Sequence, residues 1–154
     1  MLRLVPCALL LACLAGCAAP GAHSLGNYSD APAPVQQQLA AAAVKQLAVL
    51  YPPGHTRFAL QQAVSDGFGQ PLAADLRARG YALQEFKAGA SESAGSAAAP
   101  PAADAGVPLG YLLDQAAGPG LYRISLRVGS QTLTRVYQAH DGQLAPAGAW
   151  LRKE

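Results

Sequence analysis

The sequence predicts an α+β domain, with two helices packed on one face of a mainly antiparallel sheet that ends in a four-stranded meander. Three observations carry this. Apolar residues recur at spacings of three and four over 35–50 and again over 68–79, the period of a helix with one buried stripe. Alternating apolar and polar residues fill 109–150, broken by "AAGPG", "GS" and "DG", which are hairpin turns. Neither half holds enough large apolar residues to form a core alone, so the helices and the meander must share one.

In chain order, the first sixteen residues have the layout of an export signal. Arg3 gives one early positive charge, an apolar run covers 4–14, and small residues follow. That run falls well short of the roughly 20 residues needed to span a bilayer. All three cysteines, Cys7, Cys13 and Cys17, lie in this region and none follows. The segment Leu14-Ala15-Gly16-Cys17 looks like the lipobox of bacterial lipoproteins. On that reading residues 1–16 are a lipoprotein signal peptide, Cys7 and Cys13 leave with it, and Cys17 is the lipid acceptor. Ala18, where an inner-membrane lipoprotein often carries Asp, favours the outer membrane. A free Cys17 after cleavage elsewhere is the plainer alternative. No disulfide framework exists either way, so the fold must stand on its hydrophobic core.

Residues 17–34 are small, polar and proline-rich, and read as a flexible tether. A helix is expected over 34–50, with Val35, Leu39, Ala43, Leu47 and Leu50 on one stripe and Asp30 upstream as a cap. "YPPG" at 51–54 stops it. A short strand follows at 56–61, with Phe58 and Leu60 on one side. The second helix carries Phe68, Leu72 and Leu76, ends at Arg79 and is capped by Gly80. Asp75 and Arg79 stand four apart as a weak ion pair, and Pro71 either opens this helix or kinks it. Residues 81–86 form the next strand.

The stretch 87–107 contains almost only Ala, Gly, Ser and Pro, and is read as a disordered loop inside a single domain spanning 35–154. Beyond it, strands are expected at 109–115, 121–128, 131–140 and 143–150. A two-residue turn at Gly129-Ser130 sets Leu126 opposite Leu133 and Tyr122 opposite Tyr137 on the apolar face. It also sets Arg123, Ser125 and Arg127 beside Thr132, Thr134 and Val136 on the other face. The same count carried through Asp141-Gly142 places Trp150 opposite Leu133, and Pro146 confines the last strand to an edge.

A search for chemistry finds little. The chain has a formal net charge of +2, and without Arg3 it carries ten basic and nine acidic residues, which gives no electrostatic case for nucleic-acid binding. His23, His55 and His140 lack the paired spacing of a metal site. No serine stands in a nucleophile elbow, and no glycine run has the context of a phosphate cradle. Asp66, Asp75 and Asp114 show no pairing signal. Arg123 and Arg127 are read as a solvated strand face rather than an anion reader, and Arg135 falls on the opposite face. No enzyme, metal or cofactor is expected.

The lipobox together with "LYPPGHTRFAL", "FGQPLAADLRARGY", "LGYLLDQ", "YRISLRVGSQTLTRVYQA" and "LAPAGAWLRKE" resembles the TrbH conjugal transfer lipoproteins. That likeness implies a lipid-anchored protein of the outer membrane, facing the periplasm. It further implies a role in assembling or anchoring protein subunits of an envelope-spanning type IV secretion channel. Of functional residues it carries over only Cys17, as the lipid acceptor. A periplasmic ligand-binding lipoprotein, with a pocket between helices and sheet, is the alternative in a different class.

Overall fold

The computed structural model describes residues 24–87 and 106–154. Cys17, His23, the signal peptide, the first part of the tether and nearly all of the 87–107 loop lie outside them. The elements in order are β1 (Gly26–Asn27), α1 (Ala33–Leu50), β2 (Arg57–Leu60), α2 (Gly69–Ala78), β3 (Ala82–Gln84) and β4 (Val107–Gln115). They continue with β5 (Leu121–Val128), β6 (Gln131–His140), β7 (Gln143–Pro146) and β8 (Leu151–Lys153). The strands form one mixed, open sheet in the order β3-β2-β4-β5-β6-β7, with β1 added beside β4 and β8 beside β6. The protein is α+β, as the sequence predicts.

α1 forms because Val35, Leu39, Ala43 and Leu47 repeat every four residues, with Ala40 and Val44 widening the stripe, and all six are buried. Its alanine-rich body has high helix propensity. Asp30 is not its cap. Pro32 holds the N-cap position with no side-chain cap, and its carbonyl accepts the N–H groups of Val35 and Gln36 at 2.9 and 3.0 Å. The helix ends at Leu50 because prolines at 52 and 53 exclude helical geometry in the residue before them. Tyr51 then turns back over the core, its ring 5.9 Å from Phe58, while Tyr81 Oη donates to the Tyr51 carbonyl at 2.6 Å.

α2 settles the role of Pro71, which lies in the first turn and opens the helix rather than kinking it. At its far end Gly80 takes φ +87°, a left-handed conformation that costs glycine little. There Gly80 N–H donates to Arg77 O and Tyr81 N–H to Leu76 O, the paired bonds of a Schellman stop. Among the described residues the ion pair α2 makes is Arg77 with Glu85, beyond β3. β2, α2 and β3 thus form a βαβ unit whose strands pair in parallel, Phe58 beside Leu83. β2 also runs parallel to β4, Phe58 beside Val107, so this half of the sheet is parallel and the meander half antiparallel.

The meander has the expected register. Leu126 faces Leu133, Tyr122 faces Tyr137 and Arg127 faces Thr132. Leu109, Leu113, Ile124, Leu126 and Leu133 from the sheet meet Leu39, Leu47, Leu72 and Leu76 from the helices, and each is essentially sealed from water. Both helices therefore cover one face, and each such side chain contributes roughly 1.5–3 kcal/mol over leaving it exposed.

Two expectations are corrected. The last strand is not continuous from 143 to 150. It pairs as far as Tyr137 with Pro146, then resumes as β8 with Thr134 beside Leu151, so Arg152 rather than Trp150 stands opposite Leu133. Pro146 has no N–H to extend the ladder, and the chain arches out over 147–150, adding two residues to the count. The arch is held by Ala147 N–H donating to Val136 O at 2.9 Å and by Arg135 Nε donating to Gly148 O at 2.7 Å. Trp150 instead packs edge-on to Tyr137, with ring centres 6.4 Å apart.

The second correction concerns the tether. From residue 24 onward the chain lies on the domain. Gly26 and Asn27 pair in parallel with Leu112 and Leu113, Tyr28 N–H donates to Leu113 O at 2.7 Å, and Ala31 is buried. β1 continues the line of β2 along the same edge of β4. Where the two strands leave a gap, the Gln62 side chain accepts the Tyr111 N–H at 3.1 Å.

Candidate functional site

Two places in the fold gather polar side chains with defined partners. The first is a junction around Asp66, a residue whose environment gave no signal in the sequence. Its carboxylate accepts the N–H groups of Phe68 and Gly69 at 3.0 and 2.9 Å, capping the turn into α2. It also accepts a very short bond from Tyr111 Oη of β4 and a longer one, 3.3 Å, from Asn27 Nδ2 of β1. Asn27 Nδ2 further donates to Gln36 Oε1 at 2.7 Å, and Gln36 Nε2 to Ala31 O at 2.6 Å. The N-terminal arm, both helix starts and the centre of the sheet thus meet in one network. Partial burial opposes ionisation of Asp66, but the bonds from Tyr111, Gly69, Phe68 and Asn27 outweigh it and hold its pKa below the usual carboxylate value. Burial and the same carboxylate push the Tyr111 hydroxyl far above its ordinary range. A tyrosine held protonated and a carboxylate held ionised make a structural clasp, because neither is poised to exchange a proton near neutral pH.

The second is the sheet face turned away from the helices. Arg123, Ser125 and Arg127 of β5, Thr132 and Thr134 of β6 and Lys153 of β8 line a shallow concavity of about 340 Å³, as the register predicts for the first five. Leu25 and Leu112 close its inner rim. Arg123 is held by Asp114 through two bonds, Nε to Oδ1 at 3.0 Å and Nη2 to Oδ2 at 2.5 Å. That bond raises the Arg123 pKa further, so it stays charged at any working pH. Ser125 and Thr134 share a hydroxyl bond of 3.2 Å. Arg127 and Lys153 have no carboxylate partner among the described residues. Arg135 stands on the helix side, its guanidinium 5.2 Å from the centre of the Tyr137 ring.

The other singled-out residues do not converge. His55 is exposed in the turn after α1, and His140 pairs with Asp141 at 3.2 Å at an open hairpin tip, both side chains more than four-fifths exposed. Among the described residues no group of three or more His, Cys, Asp or Glu is placed to hold a metal. The interface between helices and sheet, where a ligand pocket was the alternative expectation, is filled by fully buried Leu39, Leu47, Phe58, Phe68 and Leu113.

Fold and surface together define a small α+β domain with one open sheet face among the described residues. A family model described as conjugal transfer protein TrbH matches residues 22–154, and the chain belongs to that family. It is therefore a component of conjugal transfer. No curated protein and no solved structure matches the chain. Among the described residues no helix is long and apolar enough to cross a membrane.

Proposed function

We propose that this chain is an outer-membrane lipoprotein facing the periplasm, anchored by acylated Cys17, that helps to assemble protein subunits of a conjugative type IV secretion channel. The observation that carries the reading is position. The family match begins at residue 22, five residues after the cysteine of Leu14-Ala15-Gly16-Cys17, so the matched domain directly follows the segment read as an export and acylation signal. One acyl chain holds a protein only marginally, whereas two or more anchor it stably. The domain supports a scaffolding rather than a chemical role: the polar network around Asp66 is a clasp, and among the described residues the open sheet ends in unpaired edges at β3 and β7 where extended segments of other subunits can pair.

The test uses a single variant. Donor cells carrying wild type or Cys17→Ser are labelled with palmitate and mated with recipients. Wild type should take label and support transfer, and Cys17→Ser should lose both. Equal labelling removes the anchor, and undiminished transfer by an unlabelled variant removes its role in assembly.

A further inference from the structure

The face of β4–β5–β6–β8 that carries Arg127 and Lys153 has no covering layer among the described residues. From one side to the other it runs from Leu25 and Leu112, across the cations and hydroxyls, to Leu151 on the outermost strand. Leu151 stands opposite Thr134 and so shares this face, with 69% of its surface exposed. Leu25 packs over Gly110 so closely that a Cβ there would come within 2.6 Å of it, and the side chain is thereby fixed at the rim. The chain thus enters the domain beside this concavity, only eight positions after Cys17. Fully extended, those residues reach about 28 Å at most.

Two cations with no carboxylate partner among the described residues, a hydroxyl-rich floor and apolar rims are the features of a surface that rests at a lipid interface, where cations meet phosphates and leucines meet the acyl boundary. Because the chain enters beside this face, the link reaches the membrane without passing around the domain when this face is turned to it. We propose that it lies against anionic phospholipid headgroups, so that the domain is held in one orientation on the membrane. This rests on the reading of Cys17 as an anchor. An acidic protein segment is the competing occupant, and the experiment separates the two.

The full acylated chain is reconstituted in lipid excess, either in phosphatidylcholine vesicles or in the same vesicles doped with phosphatidylglycerol. Amine acylation at Lys153 is then compared by mass spectrometry with that at Lys45, which is exposed on α1 on the far side of the domain. Each such cation near an anionic surface shifts association about fivefold, so Lys153 should react about fivefold more slowly relative to Lys45 on the doped vesicles. The ratio should be unchanged on phosphatidylcholine and should recover at high salt. Arg127→Glu, on an open strand face, should keep its melting temperature and lose most of the protection. Equal ratios on both vesicles overturn the proposal. Protection that appears only when envelope proteins of donor cells are added overturns it as well and assigns the face to a protein. The mass of the N-terminal peptide reports acylation separately: an unlipidated peptide defeats the anchor, while the Lys153 ratio on the same vesicles still decides the face.

Discussion

Replacing Asp66 with alanine should cost the domain far more than an isolated half-exposed acid would suggest. The substitution removes the acceptor of the Phe68 and Gly69 N–H groups, a cap loss of about 1 kcal/mol. It also strands the hydroxyl of Tyr111, a residue only 1% exposed, at about 1–3 kcal/mol. The sum, about 2–4 kcal/mol, should lower the melting temperature by about 8–16 °C for a domain of this size. Thermal denaturation by circular dichroism near neutral pH reads this directly. The same network fixes a pH dependence. Because the folded pKa of Asp66 lies below its unfolded value of 3.8, its stabilisation is complete above that value and fades as pH falls through the folded pKa. The gap between wild type and Asp66→Asn should therefore be widest near neutral pH and narrow in acid. Tyr111→Phe supplies the control. Since the two side chains share one bond, the double variant should be less destabilised than the two single effects combined, by about 1 kcal/mol or more. A loss under about 2 °C for Asp66→Ala, or strict additivity, would refute the reasoning.

Two further outcomes follow from packing. Leu47 is fully buried and Val49, two residues on, is 72% exposed, so Leu47→Ala should cost about 2–5 kcal/mol and Val49→Ala almost nothing in the same denaturant titration. At Gly69 an added Cβ would meet Val64 Cα at 2.9 Å and collide with the Tyr111 hydroxyl. Gly69→Ala should thus destabilise by about 1–3 kcal/mol although alanine favours helices, and a neutral or stabilising result would show that Tyr111 is free to move.

The elements themselves were legible because each rests on a local period. Four-residue spacing from Val35 to Leu47 gives a helix, alternation from Leu121 to Val128 gives a strand, and a two-residue turn at Gly129-Ser130 leaves one way to pair Leu126 with Leu133. Gly80 announced the end of α2 for the same reason: a left-handed backbone position falls to glycine. The count failed at Pro146, where an arch of two extra residues is invisible to any rule that assumes a continuous ladder. It failed also in the arm at 24–32, whose small polar residues have no period and are ordered only by the edge of β4 and by Asn27.

What the sequence by itself determined is therefore the two helices, the strands β2 to β7, the pairing of the meander as far as Pro146, and which faces are apolar, all of which depend on neighbours within a few residues or one tight turn. The tertiary structure alone decided that β1 and β2 join β4 in parallel, since no turn connects such strands and their pairing is chosen by what the helices bury between them. It alone brought Asp66, Tyr111 and Asn27 together, because residues 39 and 45 positions apart share a hydrogen-bond network only once the core has closed.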